Sequence, residues 1–163
     1  MTTYNPPRPT RTIEIKRKAA EEFVATYRRC LPHDIDDEDL IDHLIKHAHA
    51  HENGYEIAKT LDNWERWDIE AETVSALDSF DYYVTRQLRT VEAEWIEENN
   101  IQPPFPVGTE VEYLHGTWKQ GEITGICTHT PGCYLIKEAG QNDEECNRMR
   151  AVVKWENVKD IQK

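Results

Sequence analysis

The hydrophobic pattern of the chain changes its period at a proline-rich segment, IQPPFPVG, which spans residues 101–108. Before this segment, apolar residues recur every three or four positions, as they do in amphipathic helices. After it, apolar and polar residues alternate, as they do in strands with one buried face. Its three prolines hold the segment extended, because proline cannot continue a helix. The sequence therefore predicts an α+β protein in two parts, with 101–108 as the linker.

The first part, residues 12–100, is predicted to form an acidic bundle of about four helices. The first helix ends near Pro32. The second is capped at its start by Asp36 or Asp37 and at its end by the ENG of residues 52–54. A third runs from Tyr55 to about Trp64. The longest apolar stripe predicts one helix of about 25 residues, and it comprises Leu77, Phe80, Val84, Leu88, Val91 and Trp95.

The second part, residues 109–163, contains five short segments with strand patterning in about 55 residues, which predicts a small, strongly bent β-barrel. Gly121 and Gly125 interrupt one strand where a bulge is expected. The sequence of residues 130–132, Thr-Pro-Gly, is typical of a turn joining two strands. At the other end of the chain, residues 1–11 (MTTYNPPRPTR) are expected to form an extended basic tail.

Three stretches of the second part, VGTEVEYLHGTWKQGEITGI, CYLIKEA and RAVVKWENVKDI, resemble an SH3-like or Tudor-like small barrel. The resemblance covers the C-terminal third of the chain and implies a binding module more than a catalyst. Such barrels occur in nucleic-acid, peptide, methyl-lysine and structural settings, so the resemblance carries no particular site. Alternation predicts that at least two of the aromatic residues fill the core. The candidates for an aromatic contact face are Tyr113, Trp118, Tyr134 and Trp155.

The net charge of −12 is unevenly distributed. Residues 1–31 carry seven basic and three acidic side chains. Residues 32–103 carry five basic and nineteen acidic side chains, and residues 104–163 carry seven basic and nine acidic ones. This field repels nucleic acid and anionic membranes and favours basic partners. We expect a basic protein partner of the kind that binds nucleic acid, and no direct binding to nucleic acid or membrane. The candidate contact is the densest acidic run: Asp34, Asp36, Asp37, Glu38, Asp39 and Asp42. Helix capping and solubility are the alternative explanation for this run.

The histidines suggest a metal-dependent alternative. His43, His47 and His51 are spaced one helical turn apart, and side chains at that spacing can share a divalent metal. His33 and Asp34 resemble the histidine–aspartate pair of HD-domain phosphohydrolases, although the upstream histidine of that family is missing. A metal-dependent hydrolase using His33, His43 and His47 is one hypothesis, and a solvated histidine face is the other.

The segment CTHTPGC, residues 127–133, raises the question of a zinc site. The candidate ligands are Cys127, His129, Cys133 and Cys146. Structural zinc sites usually space their first pair by two to four residues, whereas five residues separate Cys127 from Cys133. The segment is better explained as the tip of a β-hairpin, so no metal or cofactor is predicted.

No nucleotide-binding or nucleophile motif occurs in the chain. No apolar stretch is long enough for a membrane span, and no secretion signal is recognisable, so the four cysteines favour a reduced, cytoplasmic protein. We expect a non-enzymatic regulatory protein that binds another protein. Its size and acidity resemble the accessory proteins of bacteriophages, some of which inhibit host defence or transcription machinery. A nucleic-acid or peptide reader built on the barrel is the remaining alternative.

Overall fold

A computed structural model describes residues 3–142 and 149–161, and the chain divides into two compact units. The helical unit comprises residues 10–90, and the sheet unit comprises residues 1–9 and 91–163. The α+β class predicted from the sequence is confirmed, because helices come first and an antiparallel sheet follows them.

The helical unit contains four α-helices and the start of a fifth. Its core is formed by apolar side chains at helical spacing, among them Phe23, Leu44, Leu61 and Trp67. Phe23 packs edge-on against Phe80, with ring centroids 5.3 Å apart. None of the helices in the described part of the chain is both long enough and apolar enough to cross a membrane. The helices are α1 (Ile13–Tyr27), α2 (Asp37–His47), α3 (Gly54–Glu65), α4 (Ala71–Leu77) and α5 (Phe80–Glu98).

The ENG sequence begins a helix instead of ending one, so the predicted cap is wrong. α2 ends at His47, and Asn53 caps α3 by accepting a hydrogen bond from the Glu56 N–H. The Glu56 carboxylate in turn accepts from the Asn53 N–H, which completes a capping box. Gly54 is required here, because a Cβ would lie 2.2 Å from the Val74 carbonyl oxygen.

The predicted helix of about 25 residues is also wrong, because the chain breaks between α4 and α5. The Ser79 hydroxyl donates to the Ala76 carbonyl at 2.7 Å, and the Asp78 carboxylate accepts from the Gly54 N–H at 2.5 Å. Local bonds of this kind compete with the helical backbone pattern. The apolar stripe continues across the break, so periodicity alone does not reveal it.

The sheet unit contains five antiparallel strands in the order β4-β3-β2-β1-β5. Among the described residues no ladder joins β4 to β5, so the sheet is open and the predicted closed barrel is not observed. The register shifts between Ile123 and Gly125, which confirms the expected bulge. Gly121 allows β3 to approach, because a Cβ would lie 2.3 Å from the Lys137 carbonyl oxygen. The strands are β1 (Glu110–His115), β2 (Thr117–Ile126), β3 (Cys133–Glu138), β4 (Ala151–Lys154) and β5 (Val158–Asp160).

The inner face of the sheet forms the core of this unit. Ile96, Ile101 and Phe105 pack against that core. The Tyr134 hydroxyl donates to the Phe105 carbonyl and accepts from the Phe105 N–H, both at 2.8 Å. The proline-rich segment is therefore attached to the sheet by specific bonds. The buried core residues are Val111, Tyr113, Ile123, Tyr134, Ile136, Val153, Trp155 and Val158.

Candidate functional site

The acidic run at the start of α2 is largely engaged by the protein itself. The Asp36 carboxylate caps α2 by accepting from the Asp39 N–H at 2.9 Å. Arg17 pairs with Glu38 at 2.8 Å and with Asp42 at 2.6 Å. Asp37 pairs with the Arg28 guanidinium at 2.7 Å. These contacts match the capping explanation. Among the described residues, the carboxylates of Asp34 and Asp39 cap no N–H and pair with no arginine.

A second set of exposed acidic residues lies near the end of α3 and the start of α4 in the chain. We call Asp62, Trp64, Asp68 and Glu72 the α3–α4 surface. All four side chains are exposed, and its three carboxylates make no ion pair within residues 3–142 and 149–161. Trp64 is 74% exposed, the most of any large hydrophobic residue described. Asp68 follows Trp64 by four residues, so their Cα atoms are at most about 15 Å apart.

His43 and His47 converge on the carboxylate of Glu65, which lies on α3. The His47 Nε2–Oε1 distance is 2.5 Å, and the His43 Nε2–Oε2 distance is 3.2 Å. Lys46 adds an ion pair at 2.8 Å. The hydrogen bonds from Lys46 and His47 are the main causes that lower the pKa of Glu65 to about 2. The alternative of a solvated histidine face does not describe His43 and His47, because their side chains are only 21% and 12% exposed.

The protonation of His43 follows from its second partner. The Trp67 Nε1–H donates to His43 Nδ1 at 3.0 Å, so that nitrogen carries no proton and Nε2–H donates to Glu65. A metal-bound histidine instead donates through its non-ligating nitrogen. This network therefore joins α2 to α3.

The other two histidines named with this group do not join it as ligands. His51 lies beyond the end of α2 with φ 70°, and His33 is exposed in the loop before α2. Within the described ranges, no group of three His, Cys, Asp or Glu side chains is placed to hold a metal ion. The histidine spacing in the sequence therefore reflects the Glu65 network.

The four aromatic residues of the sheet unit do not share one open face. Tyr113, Tyr134 and Trp155 are buried in the core, whereas Trp118 is exposed on the outer face. The Lys159 ammonium lies 4.3 Å from the centroid of the Trp118 ring. Strand alternation explains the separation, because side chains at successive positions point to opposite faces.

The segment of residues 127–133 forms the predicted hairpin connection. The Cys127 N–H donates to the Cys133 carbonyl at 2.9 Å, and Gly132 adopts φ 65° in the turn. Both cysteines are free thiols, and His129 is exposed. Cys146 lies outside the described residues. Within residues 3–142 and 149–161, Cys127, His129 and Cys133 do not form a group that could hold a metal ion.

An arginine cluster that the sequence did not predict organises the N-terminal residues of the sheet unit. The Arg8 guanidinium donates to Glu156 at 2.7 and 2.9 Å and to Glu92 at 3.2 Å. It also donates to the carbonyls of Pro131 and Gly132, at 3.0 and 2.7 Å. Burial disfavours this charge, but the two carboxylates outweigh burial and raise the pKa of Arg8. Residue 8 is thus held by specific bonds within the sheet unit.

One sequence signal pointed toward this cluster. Glu92 lies on the same helical stripe as Leu88 and Trp95, and a glutamate on an apolar stripe needs a buried partner. Glu92 is 3% exposed. Its partner is 84 residues away in the chain, which sequence periodicity cannot identify.

A pocket of about 430 Å³ lies in the sheet unit. Tyr113, Lys119 and Glu138 line it, and Lys119 pairs with Glu138 at 2.9 Å. Burial and the Glu138 charge raise the pKa of Tyr113, and Glu138 raises that of Lys119. Both groups are therefore expected to stay protonated near neutral pH.

Comparison with models of protein families, with curated proteins and with solved structures gave no match.

Proposed function

We propose that this is a non-enzymatic, cytoplasmic regulatory protein whose helical unit binds a basic protein partner through the α3–α4 surface. The observation that carries the proposal is the 74% exposed Trp64, with the unpaired carboxylates of Asp62 and Asp68 close to it in the chain. Tryptophan is the residue most enriched among interface positions that dominate binding energy. Exposed carboxylates select a basic partner and accelerate its association.

The acidic run of residues 34–42 contributes to this proposal through its field more than through direct contacts. Arg17 and Arg28 already neutralise part of it, and Asp36 is used as a helix cap. The helical unit nevertheless carries eighteen acidic and eleven basic side chains, so a cationic surface is attracted at long range. A protein that normally binds nucleic acid presents such a surface, and inhibition of a host defence or transcription protein is the role we propose.

For the sheet unit we propose an SH3-like arrangement with a supporting role. Five antiparallel strands, a bulge in β2 and a short 3₁₀ turn before β5 support this arrangement. Burial of Tyr113, Tyr134 and Trp155 disfavours an aromatic ligand cage there, so the helical unit is the preferred contact.

The proposal is tested by capturing proteins from a lysate of the native host on the immobilised full chain. We expect a basic protein that is retained at low salt, released as salt rises, and lost when Asp62→Asn, Asp68→Asn and Glu72→Gln are combined. The matched control changes the same amount of charge on α5, at three exposed carboxylates: Glu94→Gln, Glu97→Gln and Glu98→Gln.

Two results would overturn the proposed function. One is the absence of any protein whose retention on the wild-type chain depends on salt. The other is equal loss of the partner with both triple variants, because net charge alone would then explain the retention.

A further inference from the structure

The hairpin between β2 and β3 places two free thiols opposite each other. Ile126 pairs with Tyr134 in the ladder, and the next position on each strand is a cysteine. The hydrogen bond from the Cys127 N–H to the Cys133 carbonyl, 2.9 Å long, continues that register. Side chains of directly opposed residues project from the same face of a sheet.

The separation of opposed residues suits a disulfide. Hydrogen-bonded partners on antiparallel strands have Cα atoms about 5.5 Å apart, and disulfides usually join Cα atoms about 4.4–6.8 Å apart. The backbone therefore does not have to move far for the two sulfur atoms to meet. Five residues lie between the cysteines, and the carbonyls of two of them, Pro131 and Gly132, hold Arg8.

The two thiols differ in access. Cys133 is 2% exposed, whereas Cys127 is only partly covered. A small disulfide in solution therefore reaches Cys127 first. Cys133 lies opposite Cys127 and can then react with the mixed disulfide formed there. This order is that of an attacking and a resolving cysteine.

We propose that Cys127 and Cys133 form a thiol–disulfide exchange site that reacts with low-molecular-weight disulfides such as glutathione disulfide. In the first step, the Cys127 thiolate attacks one sulfur of glutathione disulfide, forming a mixed disulfide and releasing one glutathione thiolate. In the second step, the Cys133 thiolate attacks the Cys127 sulfur, forming the Cys127–Cys133 bond and releasing the second glutathione. The two cysteines lose two electrons and two protons, and glutathione disulfide gains both.

The second step is expected to depend on pH. Burial is the main reason that the pKa of Cys133 is raised to about 11. Only a small fraction of Cys133 is a thiolate near neutral pH, so the mixed disulfide accumulates before the ring closes. Well below that pKa, the closing rate is expected to rise about tenfold per pH unit.

The test uses the full chain carrying Cys30→Ser and Cys146→Ser, so that the two hairpin thiols are the ones that remain. After incubation with glutathione disulfide, intact-mass and peptide mass spectrometry follow the products. We expect first a glutathionyl adduct on Cys127, and then a species lighter than the starting protein by two hydrogen atoms, with residues 127 and 133 cross-linked.

Single variants in the same background separate the two steps. Cys133→Ser should stop at the Cys127 adduct, and Cys127→Ser should leave Cys133 unmodified while the protein is folded. Circular dichroism confirms that each variant is folded. The proposal is overturned if both thiols stay free in the folded protein, or if the Cys127 adduct persists at alkaline pH without ring closure.

Discussion

Replacement of Arg8 by methionine tests the arginine cluster of the sheet unit. The change keeps a long apolar side chain over Trp95, whose ring lies 5.3 Å from the Arg8 guanidinium carbon. It removes the positive charge and all five hydrogen bonds to Glu92, Glu156, Pro131 and Gly132. The perturbation therefore isolates the polar contribution of Arg8.

The size of the effect follows from burial. The side chains of Arg8 and Glu92 are 7% and 4% exposed, and that of Glu156 is 22% exposed. Removing one partner of a buried pair leaves a carboxylate without compensation and typically costs about 3–5 kcal/mol. Because Glu92 is the more buried carboxylate, it should account for most of this cost, and Arg8→Met combined with Glu92→Gln should recover part of it.

Arg17→Met is the matched control, since it also removes an arginine that bridges two carboxylates. Its side chain is 39% exposed, and those of Glu38 and Asp42 are 71% and 55% exposed. Exposed pairs contribute little to stability, because water and salt screen them. The same chemistry should therefore give a clearly smaller loss of stability on the surface of the helical unit.

The assay is peptide-resolved hydrogen exchange over a urea series, which reports β3 and α2 separately. Separate reporting is needed because a chain with two compact units need not unfold in one transition. We expect Arg8→Met to lower the unfolding free energy of β3 by about 3–5 kcal/mol. A loss no larger than that measured on α2 for Arg17→Met would refute the argument that burial sets the strength of this cluster.

Three further predictions concern the pH dependence of stability, the close approach at Gly121 and the tautomer of His43. Glu65 has a folded-state pKa of about 2 against its usual 4.5, so its contribution is present above pH 4.5 and is lost as pH falls toward 2. Denaturation of the helical unit followed against pH should show this loss in the wild type and a much weaker one in Glu65→Gln. Gly121→Ala should destabilise the sheet unit by about 1–3 kcal/mol in urea titrations, because the new Cβ meets a backbone oxygen at 2.3 Å. Gly125→Ala, whose nearest contact is a side-chain atom at 3.8 Å, should cost clearly less, and equal costs would contradict the close-approach argument. Trp67→Phe removes the donor to His43 Nδ1, and nuclear magnetic resonance of the imidazole should then detect loss of the fixed Nε2–H tautomer.

Features that depend on neighbouring residues could be predicted from the sequence. Asp36 and Asp37 were both candidates for the cap of α2, and Asp36 is the cap. The Thr-Pro-Gly turn and the bulge near Gly125 were also recognised, because turn and strand chemistry is local. The break at Asp78 and Ser79 was missed, since the apolar stripe runs through it and the bonds that end α4 are made by polar side chains.

The candidate sites were less predictable because their partners are distant in the sequence. The histidine spacing is visible in the sequence, but the partners of His43 and His47 are not. These partners are Glu65 and Trp67, which lie at and just after the end of α3. The acidic run was visible too, yet Arg17 and Arg28 neutralise much of it. The α3–α4 surface could not be predicted from the sequence, because it is defined by exposure and by the absence of ion pairs among the described residues. In the sequence, Trp64 is one more apolar residue of a helix.

The most direct test of the account measures the dissociation constant of the captured basic partner for the wild type, Trp64→Ala and Trp118→Ala. Both residues are exposed tryptophans, but Trp118 is on the sheet unit, beneath Lys159. Loss of a dominant interface tryptophan costs at least about 2 kcal/mol, so we expect Trp64→Ala to weaken binding roughly thirtyfold or more. Trp118→Ala should leave it within about twofold, a change worth well under 1 kcal/mol. Unchanged binding by a folded Trp64→Ala protein would contradict the account.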